Sequence, residues 1–124
     1  MKIQESAENY LETILILSHR NGAVRAVEIA NELDFSKPSV SIAMKNLRER
    51  GLIEVDAAGV ISLTAAGSEI AERVYERHNL FSDWLCSLGV PPQIASEDAC
   101  RIEHVISEES FAALKREMEQ RNTK

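Results

Sequence analysis

The densest group of metal-capable side chains in this chain is the run Cys100-Arg101-Ile102-Glu103-His104. On a helix, steps of three and four residues return to the same face at about 100° per residue, so a thiolate, a carboxylate and an imidazole converge there. Ala95, Ala99, Ile102 and Ile106 form the adjacent apolar stripe, which places the three donors at the edge of a core. His78 lies in the apolar stripe of another helical segment, between Val74 and Phe81, and supplies an inward-facing imidazole. Asn9 and Glu12 lie on the face of the first predicted helix opposite its main apolar stripe, beside Ile16, and offer oxygen donors. A mixed S/N/O set of this kind suits a first-row transition metal. Read singly, each residue is ordinary: His78 a satisfied core histidine, Cys100 a small hydrophobe, Glu103-His104 a solvated helix edge. The metal reading rests on their convergence.

A second group is basic. Between Phe35 and Arg50, Lys37, Lys45, Arg48 and Arg50 face a single acid, Glu49, although acids outnumber bases 20 to 14 over the chain and the net charge is -6. Lysines and arginines there can meet phosphates, and Ser36, Ser39 and Ser41 can donate hydrogen bonds at a helix start. Ser36, Lys37, Pro38, Ser39, Ser41, Lys45 and Arg48 are therefore the expected DNA contacts. No Arg or Gln stands in the first turn for bidentate base readout, so shape carries part of the specificity. A solvated charged helix face is the plain alternative.

The elements that must position these groups follow from periodicity. Ala7, Tyr10, Leu11, Ile14 and Leu15 mark a helix over residues 5–19, with Ser6 as its cap and Asn21-Gly22 as its stop. A short helix follows in RAVEIANEL. Ser36 then caps a new helix, with Pro38 in its first turn, Val40, Met44 or Ala43, and Leu47 facing inward, and Gly51 ending it. Two short apolar runs within Leu52 to Leu63 flank Asp56-Ala57-Ala58-Gly59 and read as a β-hairpin. This order is that of a winged helix-turn-helix, whose wing carries Asp56 and no base. From Thr64 a long helix runs to Leu88 with an apolar stripe of Ile70, Val74, Phe81, Leu85 and Leu88. Pro91-Pro92 opens another helix through Ile106, and a last one covers 108–121. The expected fold is mainly α with a small β-hairpin wing: residues 1–63 form a winged helix-turn-helix DNA-binding domain, and residues 64–124 a helical metal-binding and dimerisation domain. Leu80, Trp84, Leu88, Phe111, Leu114 and Met118 are candidates for burial between two subunits, or else complete the core of one.

Composition narrows the function classes. Aromatics are 5% of residues, too few for a base-stacking platform. Two cysteines do not make a disulfide scaffold. No apolar run approaches the roughly 20 residues of a membrane span, and the N-terminus lacks a secretory pattern, so a soluble cytoplasmic protein is expected. There is no HExxH or ExxH, and no Gly-rich loop beside Cys100 and His104, so a binding protein is expected rather than an enzyme. The rival within the same class is a metal-independent winged-helix regulator responding to a small molecule.

EDACRIEHVISEE resembles the metal-site helix of the diphtheria toxin repressor family of metal-dependent regulators. Ser36-Lys37-Pro38-Ser39-Val40-Ser41 resembles the start of that family's recognition helix, and AENYLETI its first helix. The resemblance runs along essentially the whole chain. It implies a winged-helix half followed by a helical dimerisation half, in the shorter architecture of the manganese-regulator type. It also implies a homodimer that represses metal-uptake genes on operator DNA when Fe(II) or Mn(II) ties the first helix to the helical half. His78, Cys100, Glu103 and His104 match family ligands. Glu12 agrees with the manganese type and Cys100 with the iron type. Asn9 stands where these types carry Asp or Met. Ser82 and Ser96 replace further iron-type ligands. The thiolate tips the expectation toward Fe(II), with Mn(II) close behind.

Overall fold

A computed structural model describes residues 3–122. Helices α1 (Ile3–Asn21), α2 (Ala26–Leu33) and α3 (Lys37–Glu49) precede strands β1 (Ile53–Val55) and β2 (Ile61–Leu63). Helices α4 (Ala65–Ser87), α5 (Pro92–Val105) and α6 (Glu108–Asn122) complete the chain order. The mainly helical class with one hairpin is the one predicted. The chain divides into two compact units, one up to Arg73 and one from Val74, with the boundary inside α4.

In the first unit, α1 buries Tyr10, Leu11, Ile14, Leu15 and Leu17. It begins at Ile3, so Ser6 lies within the helix and does not cap it. Ile3, Gln4 and Glu5 contain no helix breaker, and the helix continues back through them. Gly22, at φ +82°, ends α1 as expected. Asp34 closes α2 in the left-handed region, φ 56°, a conformation that Asp tolerates better than most side chains. Ser36 then caps α3: its hydroxyl accepts from the Ser39 N–H at 3.3 Å, with Pro38 in the first turn. α3 buries Val40, Met44 and Leu47 at steps of four and three.

β1 and β2 pair antiparallel in the register Ile53↔Leu63, Glu54↔Ser62, Val55↔Ile61. The Asp56 carboxylate accepts from the N–H groups of Ala58 and Val60, both at 2.9 Å, and so shapes the wing turn itself. A bridge that periodicity does not announce joins Val24 to Ile61, whose N–H donates to the Val24 carbonyl at 2.7 Å. Thr64 precedes α4; its hydroxyl accepts from Gly67 N–H at 3.1 Å and donates to the Gly51 carbonyl at 2.7 Å. Gly67 passes so close to the Leu52 main chain that a Cβ would overlap its carbonyl.

The second unit has its own core: Phe81, Ala99, Phe111 and Met118, with Leu80, Trp84, Ile102, Ile106 and Leu114 packed against it. The Phe81 and Phe111 rings meet edge-on, 6.0 Å between centroids. Of the six residues considered for burial between subunits, Phe111 and Met118 are therefore buried in the core of one chain. Leu88 departs from the predicted stripe. It falls beyond the end of α4, in the turn made by Gly89 at φ +97°, and is 63% exposed. Among the described residues no helix is long and apolar enough to cross a membrane.

Gly67→Ala is expected to lower the stability of the first unit by about 1–3 kcal/mol, the usual range for a forced overlap. Urea unfolding followed by circular dichroism measures it, and a loss within about 0.5 kcal/mol, the ordinary surface range, would contradict the close approach.

Candidate functional site

Pro91 and Pro92 set the start of α5, which buries Ala95, Ala99 and Glu103. Glu103 occupies the position a core alanine would continue from Ala95 and Ala99, and none of its surface is exposed. Sequence periodicity puts the ligand face at the edge of the core; the structure places this carboxylate inside it. A buried carboxylate costs several kcal/mol unless it is compensated. Here two imidazoles bracket it. His78 Nδ1 of α4 lies 2.9 Å from Oε2, and His104 Nε2 of α5 lies 3.3 Å from Oε1. Oε1 makes no hydrogen bond among the described residues. On α5, the donor atoms of Cys100, Glu103 and His104 lie within 4.8 Å of one another, as the i, i+3, i+4 spacing predicts.

The neighbours of this group hold it in place. Ser96 Oγ lies 3.4 Å from His78 Nε2, so each ring nitrogen of His78 faces one oxygen of α5. Arg77, beside His78 on α4, is buried; its Nη1 donates to the main-chain oxygens of Glu103 at 3.2 Å and Ile106 at 3.0 Å. Its guanidinium lies 5.2 Å from the Phe111 ring centroid. Glu103 is thus held at its side chain by His78 and at its carbonyl by Arg77. The sequence reading missed Arg77, although an arginine in the stripe of Val74 and Phe81 marks the place.

Asn9 and Glu12 belong to the first unit. Glu12 is buried, and Asn9 is half-buried with its main-chain carbonyl accepting from the Thr13 hydroxyl at 2.8 Å. Thr13 is buried as well, so α1 is covered on more than its predicted apolar stripe.

The expected DNA contacts all lie on exposed positions of α3 or its cap: Ser36, Lys37, Pro38, Ser39, Ser41, Lys45 and Arg48. The Ser36 hydroxyl donates to Ser39 Oγ at 2.8 Å, so these two hydroxyls are engaged with each other. Arg25, which the sequence reading did not enlist, donates from Nε to the Ala58 carbonyl at 3.4 Å and brings a positive charge to a wing that has none of its own.

Two family models match the chain. Residues 2–59 match the iron dependent repressor N-terminal DNA binding domain, and residues 64–124 the iron dependent repressor metal binding and dimerisation domain. The chain belongs to the iron-dependent repressor family. This confirms the resemblance carried by the α3 and α5 motifs, and it places the chain among transcriptional regulators whose repression depends on metal. The transcriptional regulator MntR of Escherichia coli O157:H7 is 38% identical over 112 residues, 90% of this chain and 72% of that protein. The iron-dependent repressor IdeR of Mycobacterium tuberculosis is 32% identical over 109 residues, 87% of this chain and 47% of that protein. The solved structure of the manganese regulator SloR superposes with a TM-score of 0.80 at 28% identity, covering 91% of this chain and 53% of that one. This repressor-family chain therefore spans about half the length of IdeR and SloR.

Arg77→Met, in the presence of a chelator, is expected to cost about 2–4 kcal/mol, because it removes two charge-assisted hydrogen bonds and leaves both carbonyls to find other partners. Denaturant titration monitored at Trp84 reports on the second unit; an unchanged midpoint would remove Arg77 from its supporting role.

Proposed function

We propose that this chain is a repressor that binds palindromic operator DNA as a homodimer when Fe(II) or Mn(II) is bound, and so controls metal-uptake genes. The observation that carries the reading is the buried Glu103 carboxylate between His78 and His104, in a chain whose α3 is capped, exposed and basic. In this reading residues 1–63 bind DNA, and residues 64–124 bind metal and dimerise. As a DNA-binding regulator it would work in the cytoplasm.

His78, Cys100, Glu103 and His104 are the proposed ligands in the helical part, with Glu12 and Asn9 from α1 as further oxygen donors on the strength of the sequence resemblance. The donors fit the group. Two ligands of one first-row cation, each at about 2.0–2.3 Å, stand roughly 2.8–4.6 Å apart, and His78 Nδ1 and His104 Nε2 lie 2.9 and 3.3 Å from the two Glu103 oxygens. When bound, a divalent cation supplies the positive charge that a buried carboxylate lacks. The chain's own residues do the rest. Arg77 and Ser96 hold Glu103 and His78 in register, and Lys37, Lys45 and Arg48 meet phosphates while the α3 start enters the major groove. For a homodimer the two recognition helices must match half-sites about 34–36 Å apart or a multiple of it. The thiolate of Cys100 favours Fe(II) over Mn(II).

Affinity for operator duplex is expected to rise about 5- to 150-fold on adding Fe(II) or Mn(II) under anaerobic conditions, the span of an ordinary coupling energy. Fluorescence anisotropy reads it, and equal affinity with and without metal would support the metal-independent regulator instead. Co(II)-loaded protein should show a thiolate charge-transfer band that Cys100→Ala abolishes; a wild-type spectrum without the band removes Cys100 from the ligand set. Lys45→Ala should weaken binding to all duplexes alike and reduce the slope of log affinity against log salt by about one.

A further inference from the structure

α3 presents two opposite faces. Val40, Met44 and Leu47 are buried, and Pro38, Ile42 and Lys45, at steps of four and three, lie on the other side of the helix and are exposed. Ile42 stands out on that face, because it is 63% exposed and carries four apolar side-chain carbons into solvent in the middle of the helix. An isolated exposed aliphatic residue needs no explanation by itself. Its surroundings give it one. Lys37, Lys45 and Arg48 on the same helix supply positive charge around it, and the matched DNA-binding domain of the family covers this helix. The polar groups that could read bases at the helix start are reduced, since the Ser36 hydroxyl is spent on Ser39 Oγ and on capping the backbone. No Arg, Asn or Gln lies among residues 37–45, where the start of the helix meets the groove.

We infer that Ile42 is a specificity-determining residue that reads thymine through its 5-methyl group in the major groove. A branched aliphatic side chain has no donor or acceptor, so it gains nothing from the polar atoms that dominate the guanine, cytosine and adenine edges. The thymine methyl is the one apolar feature a base pair displays in that groove. The basic residues fix the helix on the phosphates without sequence information, and Ile42 selects thymine at a fixed position in each half-site. The inference rests on the DNA-binding reading above.

The test begins with the metal-loaded full chain selecting sites from a random duplex library. Affinities are then measured for the selected duplex and for a series in which each thymine in turn is replaced by deoxyuridine, which lacks only the methyl. Wild type should lose roughly three- to five-fold at one thymine per half-site, the worth of one buried methyl-sized group. Ile42→Ala, a surface change that leaves the fold intact, should be indifferent to the same replacement while keeping its salt dependence. A wild-type protein indifferent to every thymine methyl, or an Ile42→Ala variant that loses as much as wild type, overturns the inference and leaves the DNA-binding reading standing. Failure to enrich any sequence overturns both.

Discussion

A carboxylate with no exposed surface, set between two imidazole rings, is the constraint around which the helical unit is organised. Glu103 stands in line with Ala95 and Ala99, where an apolar residue would stabilise the core at no electrostatic cost. A carboxyl group buried there needs polar partners. His78 and His104 approach its two oxygens, Arg77 fixes its carbonyl and the carbonyl of Ile106, and Ser96 faces the far nitrogen of His78. Two adjacent residues of α4, Arg77 and His78, therefore hold the main chain and the side chain of a single residue on α5. The edge-on contact of Phe81 with Phe111, on which the Arg77 guanidinium also rests, closes the core beneath them.

The first unit obeys a different constraint, which is how to leave one helix exposed. α3 buries only Val40, Met44 and Leu47, and its opposite face stays free of packing. The left-handed Asp34 and the Ser36 cap fix where α3 starts. Beyond its C-terminus, the close approach of Gly67 to Leu52 and the hydroxyl of Thr64 on the Gly51 carbonyl anchor the hairpin to the start of α4. The acid surplus of the chain leaves α3 locally basic, with Lys37, Lys45 and Arg48 on it, and Arg25 adds one more base beside the wing.

Much of this was legible in the sequence where local rules decide. Gly22, the Ser36 cap with Pro38, the Asp56–Gly59 turn, the prolines before α5 and the convergence of Cys100, Glu103 and His104 all follow from spacing and residue type. The features that sequence did not reveal depend on contacts between distant segments. The Val24–Ile61 bridge joins residues 37 positions apart in the chain, and the Leu52 carbonyl that excludes a side chain at Gly67 comes from the residue leading into the hairpin. Ser6 misled because a good capping residue sat behind three residues with no reason to leave the helix. Leu88 misled because periodicity continued on paper past a turn that Gly89 imposes. Spacing puts Glu103 at the edge of the core, where glutamate usually stands; its burial becomes intelligible only with Arg77 and both histidines in place.

If the chain represses as proposed, metal at the donor group around Glu103 and DNA on the exposed face of α3 are energetically linked. Linkage is reciprocal, so operator duplex must tighten metal binding by the same factor by which metal tightens DNA binding. Mn(II) or Fe(II) affinity measured by anaerobic titration with and without saturating operator tests this directly. The expected result is a metal dissociation constant lowered about 5- to 150-fold by the duplex, and unaffected by a duplex of scrambled sequence that the protein does not bind. A metal affinity that is the same whether or not operator is bound would contradict it.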